Sequence, residues 1–290
     1  MKHRKKPVQQ WIVVALATLS ILTMLLIGVQ IVIESIPAFK DVGTAMFNPE
    51  MKWLPVSDPP QFGMAPIVLG TIYVSFLAVA LALLFGIGCA FFLNFYVGEK
   101  VAEVAFAFID IVAGIPSVIF GFIGLTVVVQ GFSERFDMAA GQCVLAASIV
   151  LAVMLIPFVV SSCSESVKVA NDRYRLNALA LGFSEEAYLL KFLLPAIRKG
   201  VVASAVMAFG RGLGETMAVM MVIGNSPIFP RLFGRAQTLP ALTALEMGSV
   251  EYGSLHMSVL YAANLVLLVL LAVVLGAGYR LKKNISKESL

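Results

Sequence analysis

The feature that most constrains the fold of this chain is a series of six apolar runs, each roughly 20 residues long or longer. A helix of about 20 residues crosses the roughly 30 Å of hydrocarbon in a bilayer, and a single continuous run can satisfy its backbone groups in lipid only as a helix. Charged residues make up 13% of the chain, about half the fraction usual in soluble domains. We therefore predict an all-α polytopic membrane protein with six transmembrane helices. Its spans cover residues 11–33, 66–96, 104–130, 142–160, 199–224 and 255–279.

The distribution of Lys and Arg predicts the orientation. Residues 1–10, 97–103, 161–199 and 280–290 hold 15 of the 21 basic residues, whereas 34–65, 131–141 and 225–254 hold five. Because basic residues concentrate on the cytoplasmic side, we expect cytoplasmic N- and C-termini and a multi-pass protein of the cell (inner) membrane. The net charge of +4 reflects this same bias, so it indicates no nucleic-acid partner.

The same reading divides the chain into an N-terminal tail with the first helix (1–33), an extracytoplasmic segment (34–65), a helical core (66–279) and a cytoplasmic tail (280–290). Within the extracytoplasmic segment, several prolines accompany Trp53 and Phe62. Aromatic residues of this kind favour the membrane–water interface. We therefore predict an irregular stretch that lies at the interface, with docking of a partner as the alternative.

The third span contains "GIPSVIFGFIGL" and should break near its proline. Pro116 lacks a backbone N–H and its ring clashes with the preceding turn, so we expect a kink between Gly114 and Ser117. Gly114, Gly121 and Gly124 would form a small-residue face that another helix approaches closely. The break is typical of a helix beside a cavity, but an ordinary packing kink explains it equally well.

The inside loop 161–198 predicts two short helices. Asp172 is suited to cap the first, and Gly182 to follow its end. Ser184 is suited to cap the second, which Pro195 would stop. A connection between two spans needs only a few residues. The apolar side chains of this loop therefore indicate contact with either the membrane surface or a groove on another protein.

The fifth span places Arg211 and Glu215 among apolar residues. On a continuous helix these two side chains share a face and can pair. A lone charge at the bilayer centre costs about 2.5–3.5 kcal/mol on insertion scales, and Gly210 and Gly214 weaken the helix further while allowing close backbone approach. We interpret the combination as a polar pathway, with a structural salt bridge as the alternative. The planar guanidinium fork of Arg211 suits an oxyanion such as phosphate.

The sequence contains no phosphate-binding Gly-x-x-x-x-Gly-Lys-[Ser/Thr] loop, no catalytic carboxylate pair and no Ser/His/Asp arrangement. We expect a non-enzyme that binds no metal and no cofactor of its own. The histidines His3 and His256 are expected at the surface. The three cysteines are expected to be small buried residues that form no disulfide framework.

Several motifs carry a resemblance to a known family. The loop sequence "NALALGFSEEAYLLKFLLPA" resembles the cytoplasmic signature of importer-type ABC permeases. More narrowly, "GIPSVIFGFIGL", "GRGLGETMAVMMVIGN" and the upstream "FGMAPIVLGTIYVS" resemble the C-type subunit of the phosphate-specific permeases, over roughly residues 60–280. The resemblance implies that Arg211, Glu215 and Thr216 serve phosphate translocation. It also assigns ATPase coupling to loop residues, namely Arg175, Leu176, Ala178, Gly182, Phe183 and Pro195.

The resemblance further implies partners. These are a second, A-type permease subunit, two ATPase subunits that hold ATP and Mg²⁺, and an extracytoplasmic phosphate-binding protein. One departure affects the coupling. Leu176 and Asn177 stand where the signature often has Glu and Ala, so the polar contact to the ATPase would be lost or taken over by Arg175.

The sequence thus predicts one permease half of an ATP-driven phosphate importer that works by alternating access. Three alternatives stay open at this point. They are an importer of another oxyanion such as sulfate or molybdate, an ion-coupled transporter or channel without an ATPase, and a membrane scaffold or signalling partner without transport.

Overall fold

The structure, a computed structural model, describes residues 8–287. The ends of the two tails, residues 1–7 with His3 and residues 288–290, lie outside the described residues. The helices are α1 (Val8–Asp41), α2 (Ala65–Phe95), α3 (Glu99–Ala113), α4 (Ser117–Phe136), α5 (Val144–Ala180), α6 (Glu185–Leu213), α7 (Met217–Ile223), α8 (Leu239–Glu246) and α9 (Leu255–Lys287). Within the described residues, six of them are long and apolar enough to cross a membrane, namely α1, α2, α4, α5, α6 and α9. This confirms the predicted all-α class and the number of spans.

Close contacts between small residues fix the directions of the central helices. Gly86 of α2 lies against Val159 of α5, and the hydroxyl of Ser148 in α5 donates to the carbonyl of Val74 in α2. Helices α2 and α5 therefore run parallel, and most of the buried core lies between them. Gly200 of α6 lies against Ser166 of α5, and the hydroxyl of Ser204, further along α6, donates to that of Ser162, earlier in α5. Helix α6 therefore runs antiparallel to α5.

The third span differs from the prediction in its position. The predicted span 104–130 is divided, because α3 ends at Ala113 and α4 begins only at Ser117. Helix α3 carries charges along its length and has no fully buried residue, so the apolar span is α4, over Ser117–Phe136. A wider π turn, Gly124–Val129, occupies the middle of α4.

The predicted pair of short loop helices is wrong in its first member. Helix α5 continues past the predicted end at residue 160 to Ala180. Residues 161–180 contain neither Gly nor Pro, so nothing in the sequence terminates the helix. Asp172 consequently lies inside α5 and caps no helix.

Pro195 does not stop the second loop helix. Helix α6 runs through it from Glu185 to Leu213, with a π turn at Leu189–Leu193 directly before it. A π turn changes the register of the carbonyl groups. The wider turn therefore lies where the proline ring would otherwise meet the carbonyl four residues earlier.

The segment between α1 and α2 is ordered against the rest of the protein. A short 3₁₀ helix (Gly43–Phe47) and a two-stranded antiparallel hairpin, β1 (Trp53–Leu54) and β2 (Gln61–Phe62), follow α1. Trp53 and Phe62 are 5% and 3% exposed and pack in a cluster with α8 and α9. Both rings therefore anchor the hairpin to the protein, and the position of this segment at the membrane interface stays a prediction.

Candidate functional site

The fifth span is interrupted at the motif that contains its two charges. Helix α6 ends at Leu213, and Gly214 closes it before α7 begins at Met217. The predicted continuous helix over 199–224 is thus wrong at residues 214–216. Three glycines within five residues, at 210, 212 and 214, lower helix stability by about 1 kcal/mol each relative to Ala, which favours a break here.

Arg211 lies in the last turn of α6, where a positive charge is favourable beside the free carbonyl groups of the helix end. Its side chain is exposed on the surface of the chain. The apolar side chains of Met207 and Met217 near it are 57% and 46% exposed. Among residues 8–287, no carboxylate lies within 4 Å of the guanidinium. An unpaired cation inside a membrane span is costly against lipid, so this face must meet water or another protein.

The sequence allowed an ion pair between Glu215 and Arg211, but in the structure the Glu215 side chain caps the next helix instead. Its Oε1 accepts a hydrogen bond from the backbone N–H of Ala218 at 3.1 Å. The first amides of α7 lack partners within the helix, and a carboxylate at that end is also favoured by the helix dipole. The break in the backbone removes the four-residue helical spacing on which the predicted pair depended. Thr216 stands at the same turn, with its hydroxyl 3.4 Å from the carbonyl of Gly214.

A second interruption lies beside the first. Helix α4 begins at Ser117, after Gly114 and Pro116 end α3. It packs alongside α7: a Cβ at Gly121 would lie 3.0 Å from Ala218 Cα, and one at Gly124 would lie 3.0 Å from Val222 Cγ2. Residue numbers increase in the same direction along both helices from one pair to the next. Helices α4 and α7, which both start at breaks, therefore run side by side and parallel.

The close-packing glycines are those of α4 rather than those around Arg211. A Cβ at Gly210 would meet only the ends of two leucine side chains of α9, at 3.7 and 3.9 Å, and one at Gly214 or Gly114 would meet only carbonyl groups of its own turn. Within residues 8–287, the predicted close packing at Gly114, Gly210 and Gly214 is therefore not observed. Gly114 and Gly214 instead occupy the helix ends.

The loop between α5 and α6 has a well-defined turn. Gly182 adopts a left-handed backbone with φ of 79°. Its N–H donates to the carbonyl of Leu179 at 3.0 Å, and the N–H of Phe183 donates to the carbonyl of Ala178 at 3.2 Å. This pair of bonds is the Schellman arrangement, which glycine favours at the position after a helix end. The hydroxyl of Ser184 then accepts from the N–H of Ala187 at 3.2 Å and caps α6.

Some side chains of this loop contact other residues of the chain, and others are exposed. Arg175 pairs with Glu185 at 2.7 Å across the turn. Ala178 is buried, and the ring of Phe183 lies 5.0 Å from that of Phe192. Leu176 is 79% exposed, and Leu181 and Leu190 are exposed to a similar degree, so the loop carries apolar side chains that no element of the described chain covers.

A polar cluster that was not predicted from the sequence lies at the hairpin. The indole N–H of Trp53 donates to Glu246 Oε1 at 3.0 Å, and His256 Nε2 lies 2.8 Å from Glu246 Oε2. His256, which was expected at the surface, is partly buried between the hairpin and α8, with its side chain 20% exposed. No local motif predicts this contact, since Trp53 and Glu246 are 193 residues apart.

The remaining predictions for reactive groups concern cysteines and metals. Cys143 and Cys163 are buried and Cys89 is partly buried, and all three are free thiols. Within residues 8–287, no group of His, Cys, Asp and Glu has the arrangement of a metal site.

Comparison with known proteins defines the class. Residues 82–287 match the family model described as binding-protein-dependent transport system inner membrane component. The fold is similar to that of the MetNI methionine ABC transporter in an inward-facing conformation, with a TM-score of 0.60 over 79% of this chain and 99% of that chain at 19% identity. The chain belongs to this family of transport permease subunits.

Sequence relatives narrow the class further. The chain is 32% identical to the probable phosphate transport system permease protein PstC of Methanocaldococcus jannaschii, over 93% of this chain and 91% of that protein. It is 29% identical to the PstC of Haemophilus influenzae over 94% of each, and 32% identical to the probable ABC transporter permease YqgH of Bacillus subtilis over 89% and 85%. These relatives confirm the resemblance to the C-type phosphate permeases.

Proposed function

We propose that this chain is one permease half of an ATP-driven importer that moves inorganic phosphate across the cell membrane by alternating access. The family supports the transport role, and the names of the full-length relatives support phosphate as the substrate. The single observation that carries the proposal is the exposed Arg211 at the end of α6, inside a membrane-spanning segment.

Arg211 would lie on the seam between this chain and a second, A-type permease subunit. A guanidinium facing lipid is costly, whereas one facing a water-filled seam can bind two phosphate oxygens at once. The side chain has no carboxylate partner within 4 Å in the described chain. Its hydrogen-bond donors are therefore available to an arriving anion.

Glu215 and Thr216 would shape the site rather than bind phosphate strongly. The carboxylate of Glu215 holds the start of α7, and its negative charge near the path opposes tight retention of an anion. Weak retention suits a carrier, because the anion must leave again. The Thr216 hydroxyl, which makes only a long contact at 3.4 Å, can donate to a phosphate oxygen.

Coupling to ATP would pass through loop 161–198. The exposed Leu176 and its apolar neighbours form the surface expected to enter a groove on an ATPase subunit. The ion pair of Arg175 with Glu185 and the turn at Gly182 would keep that surface rigid. Two ATPase subunits would bind ATP and Mg²⁺, and this chain would bind neither.

The orientation and the outer partner follow from the distribution of charge. Cytoplasmic termini would place loop 161–198 on the side of the ATPase and the hairpin of Trp53 outside. An extracytoplasmic phosphate-binding protein would deliver its ligand to that outer face.

The decisive experiment is reconstitution of the chain with its A-type partner, the ATPase and the binding protein in vesicles. ATP-dependent uptake of radiolabelled phosphate is measured with and without excess sulfate or molybdate. We expect phosphate uptake that Arg211→Ala abolishes, while Arg198→Ala, an exposed cation elsewhere on α6, leaves it unchanged. If an assembled complex with Arg211→Ala takes up phosphate at the normal rate, Arg211 does not act in phosphate translocation. Preferential uptake of sulfate or molybdate would replace phosphate as the substrate.

A further inference from the structure

A cavity of about 410 Å³ lies between the end of α5 and the beginning of α6, away from the Arg211 face. This volume is within the range of small-ligand sites. Its polar and charged lining comes from both helices: Glu165, Ser166, Arg173 and Tyr174 from α5, and Lys199 beside Gly200 from α6.

Gly200, one of the lining residues, lets α6 approach α5 closely at the cavity. A Cβ at this position would overlap the side chain of Ser166 on the facing helix. The Ser166 hydroxyl lies at this closest approach and donates to the carbonyl of Ser162 at 3.0 Å. The cavity therefore lies beside a close approach of α5 and α6, and the Ser166 hydroxyl is one of its polar lining groups.

Arg173 differs from the nearby Arg175 in its partners. Arg175 is neutralised by Glu185 at 2.7 Å. Arg173 has no carboxylate within 4 Å among residues 8–287, and its guanidinium lies 5.3 Å from the centre of the Tyr174 ring. A guanidinium held against an aromatic ring keeps its N–H groups directed outward from its edge. Arg173 is thus positioned to donate to an anion in the cavity.

The charges that line the cavity favour an anion of moderate affinity. Arg173 and Lys199 contribute two positive charges, and Glu165 contributes one negative charge. Counted over the described lining residues, the balance is one net positive charge at a concave, partly enclosed surface. Arg in a fork geometry and Lys as a point charge are the side chains that proteins use for phosphate groups.

We propose that this cavity is a binding site for a phosphate group, either free inorganic phosphate or the headgroup of an anionic phospholipid. The bound group would contact Arg173 on α5 and Lys199 on α6 together. It would hold the two helices at their present separation, at the membrane-proximal ends of the segment 161–198 that is assigned to ATPase coupling. The site is distinct from Arg211, and its occupancy does not depend on Arg211 acting in transport.

The test uses the assembled transporter in nanodiscs of neutral phosphatidylcholine, with Arg211→Ala as the background so that the path contributes no phosphate binding. Equilibrium binding of radiolabelled phosphate is measured before and after Arg173→Gln plus Lys199→Gln. Arg198→Gln, which removes a charge next to the cavity without lining it, is the matched control. A parallel arm measures phosphatidylglycerol retained after purification from mixed lipid.

We expect the double variant to weaken phosphate binding, or retention of phosphatidylglycerol, by at least about tenfold, because each hydrogen bond to a charged group contributes about that factor. The control should bind like the background. Loss of phosphate binding identifies free phosphate, and loss of lipid alone identifies a headgroup. If the double variant retains both ligands as the control does, the proposal is wrong. Transport by the Arg211→Ala background would contradict only the proposed path.

Discussion

The role of Glu215 as a helix cap leads to a prediction that separates it from an ion-pair role. Its Oε1 accepts from the N–H of Ala218 at 3.1 Å, and no ion pair joins it to Arg211. Replacing a capping side chain by Ala costs about 1 kcal/mol, within a range of about 0.5–2 kcal/mol. Glu215→Ala should therefore destabilise the start of α7 by about 1 kcal/mol. Glu215→Gln keeps an acceptor oxygen and should lose less than half of that.

The loss of stability at the start of α7 can be measured by hydrogen exchange of residues 217–223, followed by mass spectrometry on the protein in nanodiscs. Local opening governs exchange of such amides, and 1 kcal/mol corresponds to about a fivefold change in the open population. We expect exchange about fivefold faster in Glu215→Ala and nearly unchanged in Arg211→Gln. Peptides from α1, which packs against α9, provide the internal reference.

A double-mutant cycle refutes or supports the same reasoning. Residues that do not share an interaction show effects that add within about 0.5 kcal/mol. The exchange rates of Arg211→Gln, Glu215→Ala and the double variant should therefore give a coupling energy below that value. A coupling of about 1 kcal/mol or more, or equal effects of Glu215→Ala and Glu215→Gln, would show that the carboxylate acts mainly through Arg211.

Three further predictions concern packing, the loop and the hairpin. Gly124→Ala places a Cβ 2.6 Å from Val150 Cγ2 and should cost about 1–3 kcal/mol by overpacking, seen as a lower melting temperature of the purified complex. Gly182→Val forces a β-branched residue into a backbone with φ of 79°, a cost of about 1–3 kcal/mol; it should reduce the ATPase that co-purifies, and full co-purification would contradict the loop assignment. Trp53→Phe removes a donor to Glu246 at 3.0 Å and should destabilise the hairpin by about 1 kcal/mol, detected as faster proteolysis within residues 48–63.

Local sequence patterns predicted where most of the helices lie, but they predicted less well where individual helices break or end. The second span was predicted at 66–96 and the helix covers Ala65–Phe95, because an uninterrupted apolar run leaves little choice. The break at Pro116 also follows from a local cause, the missing N–H. The end of α5 at Ala180 was missed, since the change from apolar to polar residues near residue 160 marks the membrane boundary and not the helix end.

In the candidate site, too, local patterns identified the residues but not their contacts. Arg211 and Glu215 were identified from sequence because charges are rare within apolar runs. Their separate roles were not, because the four-residue spacing implies pairing only if the helix continues through Gly214. Arg173 and Lys199 could not be recognised as neighbours of one cavity, since they lie on different helices and each is an ordinary basic residue of a cytoplasmic loop in the sequence.

The sequence by itself determined that this chain spans a membrane as helices, how many times it does so, and that its fifth span carries an unusual cation. Those properties depend on the free energy of transferring each segment into lipid, which is summed locally along the chain. The tertiary structure alone decided that Glu215 caps α7, that α4 and α7 start side by side, and that α5 and α6 enclose a basic cavity. These arrangements depend on which helices pack together, and side chains many residues apart have no periodic pattern that would reveal their contact.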